Sequence, residues 1–341
     1  MSFLQTLLFP LSVLYGAAVR LRTRAYEKGL LRQKRLDGVV VSVGNLTVGG
    51  TGKTPMVLWL AERLLAENKK AGILTRGYRG HTSAAGPASD EVRLLQSRLG
   101  DRVTFGVGAD RYAQGRELAR RGVEWFILDD GFQHLQLARD VDIVLTDATN
   151  PFDGGHLLPA GRLRESRAAL ARADIIVITR SNHAPAVEAI VRRESNAPIF
   201  YARTQLDFIR SFTDGQMGGE VTAAQLGKAF AFCGLGNPDA FFSDLRDWGV
   251  EVVGSRAFRD HHKHTQKDDD TIAREARAAG TSTVICTEKD LPNLWSIHHQ
   301  LPIFYCSISM RIDRPEEFWR TVVATARSRV HANQGNLFPV L

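Results

Sequence analysis

The chain has 341 residues, long enough for two domains and a sizeable core, and its 44% apolar and 24% charged residues exclude a disordered or fibrous protein. A net charge of +7 and a pI near 9.5 point to an anionic partner: nucleic acid, an acidic membrane face or a phosphorylated substrate. Cys233, Cys286 and Cys306 are odd in number, widely spaced and set in apolar runs, so they read as buried reduced thiols of a cytosolic protein. From the N-terminus, Leu4 to Val19 is apolar but too short, and too interrupted by Pro10, to span a bilayer comfortably. Arg20, Arg22, Arg24, Lys28, Arg32, Lys34 and Arg35 follow, with Glu27 the one acid among them. Apolar anchor then basic follow-on is the pattern of a segment lying on an anionic leaflet. An amphipathic helix packed on the protein's own core is the alternative. No basic residue precedes the apolar run, which argues against a signal peptide.

Next comes VVVSVGNLTVGGTGKTP, Val39 to Pro55. A β-branched run leads into Gly49-Gly50-Thr51-Gly52-Lys53-Thr54, and the helical pattern MVLWLAERLLAE follows. Strand, glycine loop and helix in that order make a phosphate-binding loop, in which backbone N–H groups and the helix N-terminus face phosphate oxygens. Lys53 is expected on the β- and γ-phosphates and the Thr54 hydroxyl on Mg²⁺. Thr47 stands where the general pattern has its first glycine, and Val48 replaces the lysine often found before GGxGKT.

Ala71–Arg76 reads as a short buried strand ending in the loop Arg76-Gly77-Tyr78-Arg79-Gly80, and residues 81–89 as a polar loop. Asp90-Glu91 opens a helix, followed by strand Val103–Val107 and helix Ala109–Arg121. Trp125 to Leu128 then runs into Asp129-Asp130-Gly131-Phe132-Gln133-His134. An apolar strand ending in aspartate is the second half of a P-loop site, where the carboxylate holds Mg²⁺ directly or through water. Strand pleating assigns Asp129 and Asp130 different jobs, one on Mg²⁺ and one at the acceptor or a second water. Gln133 and His134 either line the site or cap the next turn. Strands Asp142–Asp147 and Asp174–Thr179 flank a loop, Leu157 to Glu165, that carries Arg162 and Arg164. Alternating strands and helices imply an α/β fold with a P-loop-containing, doubly wound, mostly parallel sheet.

Pro198–Arg210 reads as an extended linker strand, and Ile303–Ile308 as a second one pairing with it. Between them a smaller α/β unit is expected: strand Ala229–Cys233, helix Asp239–Trp248, strand Glu251–Phe258, helix Gln266–Ala279 and strand Thr283–Thr287. Glu316–Arg329 is a closing helix. The domain plan is 1–37 membrane-associating helical segment, 38–200 P-loop core domain, 201–212 and 302–311 linker strands, 213–301 smaller α/β domain, and 312–341 closing helix and tail. The tract Asp260-His261-His262-Lys263-His264, with Asp268–Asp270 nearby, admits a metal cluster; the lysine inside it and the loose ligand spacing weigh against one.

With these pieces placed, the sequence resembles the tetraacyldisaccharide 4′-kinase family of lipid A biosynthesis over nearly its whole length. The carriers are VGNLTVGGTGKTP, TRGYRG, Ser89-Asp90-Glu91, DDGFQH, LLPAGRLRE, GLGNPDAFF, the Asp260-His261 pair and Thr287-Glu288-Lys289-Asp290. The resemblance implies ATP and Mg²⁺ as cofactors and transfer of the γ-phosphoryl group to the 4′-hydroxyl of an acylated glucosamine disaccharide 1-phosphate. It implies a monotopic protein on the cytoplasmic face of the bacterial inner membrane; a monomer is expected, and no nucleic-acid partner, because much of the basic charge sits behind the apolar N-terminus and no aromatic-rich binding module is present. It also implies two α/β/α domains joined by a two-stranded linker. Asp90 matches the family's proposed base and His261 its orienting partner, which for domains divided as above would require the two to meet across the active cleft. Arg164 is carried over as a catalytic residue; Arg76, Arg79 and Arg164 are candidates for the γ-phosphate or the substrate's 1-phosphate, since arginine presents a planar fork to such oxygens. Two departures stand out. The family usually has Gly-Asp-Glu-Pro at Ser89 to Val92, and proline at Arg162, which leaves open whether Arg162 or Arg164 meets phosphate. Thr287 to Asp290 is expected near the nucleotide base or the domain interface. The competing function is a P-loop NTPase switch or targeting factor acting on a protein partner.

Overall fold

Apolar runs rich in valine and isoleucine become parallel strands, and the amphipathic stretches between them become helices. The computed structural model describes residues 3–77, 89–213, 216–260, 262–295 and 297–335. In chain order its elements are α1 (Phe3–Glu27), β1 (Val39–Asn45), α2 (Lys53–Ala66), β2 (Ala71–Thr75), α3 (Asp90–Leu99), β3 (Thr104–Val107) and α4 (Arg111–Arg120). β4 (Trp125–Asp129), β5 (Val141–Asp147), β6 (Ile175–Thr179), α5 (Pro185–Glu194), β7 (Ile199–Thr213), β8 (Gln216–Val221) and α6 (Ala223–Leu226) follow. The chain continues through β9 (Lys228–Cys233), α7 (Pro238–Asp247), β10 (Glu251–Ala257), α8 (Gln266–Ala278), β11 (Val284–Thr287), β12 (Ile303–Ile312) and α9 (Pro315–Gly335).

The chain divides into two compact units: Met1–Pro87, Leu99–Arg203 and Met310–Leu341 in the first, Ala88–Arg98 and Thr204–Ser309 in the second. β7 and β12 each begin in one unit and end in the other.

In the first unit the strand order is β7-β6-β5-β1-β4-β2-β3, every pair parallel. β5 and β6 are buried along their whole length, which is why Ile143 to Leu145 and Ile175 to Ile178 read as apolar runs rather than alternating ones. One side of the sheet packs around Phe132, Val144, Leu170 and Ile178, and another cluster gathers Val40, Leu74, Phe126 and Leu128. α9 returns to this unit, its Phe318 edge-on to Trp59 at 5.2 Å and to Phe200 at 5.2 Å. A Cβ on Gly44 would lie 2.5 Å from Phe132 Cβ, and one on Gly131 only 2.6 Å from Ser42 Oγ. Those two glycines let the segment after β4 close onto the end of β1.

α1 is oriented opposite to an ordinary surface helix. Its inner side carries Ser12, Tyr15 and Gly16: Ser12 Oγ donates to Leu157 O at 3.0 Å and accepts from Ala160 N at 2.9 Å, and Tyr15 OH donates to Arg164 O at 3.0 Å. Leu7, Phe9, Leu11, Val13, Leu14 and Leu21 are exposed instead. Among the described residues no helix is long and apolar enough to cross a membrane.

In the second unit β10-β9-β11-β12-β7 form the sheet, and β8 folds back antiparallel on β7. Phe232, Ile272, Cys286 and Tyr305 pack in one cluster, and Ala231, Leu245, Ile285 and Cys306 in another. All three cysteines are free and buried. β8 escapes sequence reading because QMGGEV is polar, exposed and lacks apolar alternation. α3 belongs to this unit through Arg98, although it lies within the stretch read from sequence as kinase core. The Arg98 guanidinium bonds Glu288 at 3.0 and 3.2 Å and the Ile308 carbonyl at 3.2 Å, with Asp207 at 3.4 Å.

Candidate functional site

β1 lies between β4 and β5, and its carboxyl end is where the strand order reverses, the place where open α/β sheets bind ligands. Gly49 (φ 136°) and Gly52 (φ 90°) hold left-handed backbone that other residues resist. Gly52 occupies the N-cap of α2 and has no side chain to cap it, so the first-turn N–H groups are left for an anion. Lys53 Nζ donates to Asn45 Oδ1 at 3.1 Å and Gly49 O at 3.5 Å, and lies 3.6 Å from Asp130 Oδ1. Thr54 stands next, in the first turn of α2.

The two aspartates after β4 face different partners. Asp129 is buried and accepts from Thr75 Oγ1 at 3.3 Å. Asp130 turns out of the strand with φ 50°, a conformation a non-glycine residue adopts only when its surroundings enforce it. Arg164 Nη1 donates to both Asp130 oxygens, at 2.8 and 2.7 Å. Burial alone would raise the Asp130 pKa; the charges of Lys53 and Arg164 outweigh it and hold the carboxyl below its ordinary range. Asp130 therefore stays ionised between two cations.

The loop carrying Arg164 is stitched to the lead-in of the phosphate loop. Val48 N donates to Arg162 O at 2.8 Å, and Arg164 N to Leu46 O at 2.7 Å. Gln133 Nε2 donates to Asn45 O and to Glu165 Oε1, each at 3.1 Å, and Glu165 is held in turn by the Arg172 fork at 2.8 and 2.9 Å. Of the two arginines left open by the sequence, Arg164 joins the carboxylates, and Arg162 faces Asp153 at 3.7 Å.

Three further groups surround these. Arg111, the first residue of α4, is buried, with Nη1 donating to Ala109 O at 3.2 Å and, among the described residues, no hydrogen-bond partner for Nε. Its burial and the nearby Arg76 charge depress its pKa against the opposing fields of Asp130 and Asp129. Arg76 itself is exposed just past β2. His134 is pushed down to about 4, first by burial and then by Arg111, Arg139 and Arg22, so at neutral pH it is an uncharged imidazole. The donor set fits a nucleoside triphosphate with Mg²⁺. Thr54, Asp129 and Asp130 offer the hard oxygens that cation takes, and among the described residues the buried Thr51 Oγ1 has no hydrogen-bond partner.

Asp90 lies in the second unit, at the start of α3, where Ser89 Oγ accepts from Val92 N at 3.3 Å. The neighbouring Glu91 is 3.4 Å from Lys289 Nζ, and the same ammonium is 3.3 Å from Asp260. Burial would lower the Lys289 pKa, but Glu91 and Asp260 raise it further. Lys289 thus ties the first turn of α3 to the residue before His261. The start of α3 and Asp260 share one unit, so the expectation that pairing Asp90 with His261 requires the two domains to meet is corrected. His261 and Arg79 lie outside the described residues. The side chains of Thr287 to Asp290 bind within the second unit. Asp290 accepts from Gly234 N at 2.9 Å and Thr287 Oγ1 at 2.6 Å, and Glu288 takes Arg98.

Asn45, Thr75, Arg111 and Glu165 stand at the site without having been singled out from sequence. Asn45 and Thr75 end β1 and β2, and strand carboxyl ends in a parallel sheet are where such residues collect. Arg111 and Glu165 gave no local signal, since each resembles a solvated charge until the fold buries it.

Comparison with known proteins places this arrangement. The family model for tetraacyldisaccharide-1-P 4′-kinase matches residues 4–327. The tetraacyldisaccharide 4′-kinase of Geobacter metallireducens is 39% identical over 89% of this chain and 92% of its own. That of Halothermothrix orenii is 36% identical over 83% and 82%. A crystal structure of LpxK from Aquifex aeolicus in complex with ATP superposes with a TM-score of 0.69 at 30% identity, covering 95% of this chain and 99% of that one.

Proposed function

This chain belongs to the tetraacyldisaccharide-1-P 4′-kinase family, and from that premise we propose that it transfers the γ-phosphoryl group of ATP to the 4′-hydroxyl of tetraacyldisaccharide 1-phosphate. The observation that carries the reading is Asp130, ionised between Lys53 and Arg164 at the mouth of a glycine loop. Phosphoryl transfer asks a protein chiefly for positioning and charge neutralisation. Lys53 and the N–H groups of Gly49 to Thr54 hold the phosphates, Arg164 sets Asp130 in place, and Arg76, Arg79 and Arg111 supply further positive charge toward phosphate. Thr54, Asp129 and Asp130 hold Mg²⁺, which when bound neutralises phosphate oxygens as charge shifts to the leaving group. Gln133 and the neutral His134 offer hydrogen bonds to the sugar. Asp90, oriented by His261, takes the proton from the acceptor hydroxyl.

The test is transfer of label from γ-³²P-ATP in detergent micelles with and without tetraacyldisaccharide 1-phosphate. Label on the lipid is the expected result. Free phosphate released at the same rate regardless of lipid would overturn the kinase reading in favour of an NTPase switch, which the family assignment disfavours.

The acceptor is a lipid, and α1 supplies a means of reaching it. Its outward row of Leu7, Leu11 and Leu14, followed by Arg20, Arg22 and Arg24, is the chemistry of a helix seated in an anionic leaflet on the cytoplasmic face of the inner membrane. Changing all three leucines to serine removes apolar area worth several kcal/mol of partitioning at ~25 cal/mol per Å². Co-sedimentation with phosphatidylglycerol vesicles is expected to fall at least tenfold, with micellar activity on a short-chain acceptor retained. Unchanged sedimentation would remove α1 from membrane binding.

A further inference from the structure

Where β10 leads into α8, the second unit gathers two imidazoles and a carboxylate. His264 is buried, its side chain 1% exposed, and among the described residues neither ring nitrogen has a hydrogen-bond partner. The nearest acid, Asp290 Oδ1, is 4.0 Å from Nε2 and already accepts from Gly234 N. A buried imidazole with both nitrogens unsatisfied is costly, and a fold keeps one when something else is to meet it.

The geometry points to a metal ion as that something: we propose that His262, His264 and Asp268 form a site for a divalent late transition metal, Zn²⁺ first among them. One ligand atom from each of the three residues lies within 4.8 Å of the others. His262 Nε2 is 3.1 Å from Asp268 Oδ2, which also accepts from Thr265 N and Oγ1 at 2.9 and 2.8 Å. Asp268 is thereby fixed as the N3 residue of a capping box at the start of α8. Aromatic side chains flank both rings. Phe258 stacks on His262 at 4.7 Å and meets His264 edge-on at 4.8 Å, with Phe232 edge-on to His264 at 5.3 Å.

Two imidazoles with one carboxylate suit Zn²⁺, which takes nitrogen at roughly 2.0–2.1 Å and leaves a fourth position to water. Tetrahedral geometry asks the donors to draw in to about 3.3 Å from one another, a movement of roughly 1 Å within the reach of rotamer adjustment. Mg²⁺ requires oxygen donors and is excluded by the imidazoles, so this site is chemically separate from the one at Asp129 and Asp130. Lys263, the residue that weighed against a metal in the sequence, is exposed, while His264 on its far side is buried. The metal would brace the turn that begins just after Asp260 and His261, clamping it to the first turn of α8.

The test uses the untagged full-length protein, stripped with chelator and titrated with Zn²⁺ or Co²⁺ in excess Mg²⁺. One equivalent bound, with the visible absorption of tetrahedral Co²⁺ and a rise in unfolding temperature, is expected. His264→Phe, which keeps the ring volume against Phe232 and Phe258, and Asp268→Asn, which keeps the cap, should each weaken Zn²⁺ binding by more than the ~10–100-fold typical of outer-sphere partners. Without metal, His264→Phe should unfold at or above the temperature of wild type, because an unsatisfied buried imidazole has gone. Wild type that binds no equivalent, Zn²⁺ binding equal in wild type and both variants, or displacement by millimolar Mg²⁺ would each overturn the site.

Discussion

Lys53→Ala lowers phosphoryl transfer by about 10³-fold or more and weakens ATP binding with it. The magnitude follows from removing a fixed cation from the place where phosphate charge develops, at which a single lost donor commonly costs ~10²–10³ in kcat. Here the loss is compounded: the same ammonium touches Asn45 Oδ1 and Gly49 O and faces Asp130, so its removal leaves Asp130 with one of its two neighbouring ion-pair partners, Arg164. Alanine favours a helix first turn as well as lysine does, so the fold should survive. Label transfer and nucleotide titration calorimetry on the same sample check both halves. Turnover within tenfold of wild type would remove Lys53 from the chemistry.

Asp90→Asn separates chemistry from binding. A base that takes the acceptor proton contributes ~10²–10⁴-fold, so kcat should drop by that much while ATP affinity stays within a factor of about two. Asparagine preserves the size of the side chain and its place in the first turn of α3, where Ser89 and the Glu91–Lys289 pair remain. The pH profile discriminates further: the acidic limb of kcat/KM should be present in wild type and flattened in the variant. A fall in ATP affinity as large as the fall in kcat would mean that Asp90 acts on the nucleotide and not as a base.

The parts legible in the sequence share one property: their partners are close along the chain or announced by a motif. GGTGKT needs only the strand before it and the helix after it, and Asp129-Asp130 only an apolar strand. The sequence was silent where the deciding contact is remote. Arg98 and Glu288 meet from 190 positions apart, and that contact, not any local pattern, assigns α3 to the second unit. Arg111 looks like an ordinary solvated helix-start arginine until the end of β4 comes beside it. The His262–His264 tract lacked firm metal spacing because its third donor is supplied by the first turn of a helix, which only folding brings back.

With α1 on a membrane as proposed, the hydrogen bond from Tyr15 to the Arg164 carbonyl would make that helix a gauge of height. A soluble kinase can meet its acceptor at any depth of solution, whereas a sugar hydroxyl on an acylated disaccharide stands at one level above the hydrocarbon. On the proposed seating of α1 in the leaflet, a helix bonded to the peptide of the arginine that holds Asp130 would fix how far the phosphate loop stands off from that level. Because that spacing is set by a rigid helix, an inserted turn of about 5.4 Å would alter the stand-off without touching a single group that handles phosphate. On this geometry such an enzyme would keep its chemistry and lose its reach.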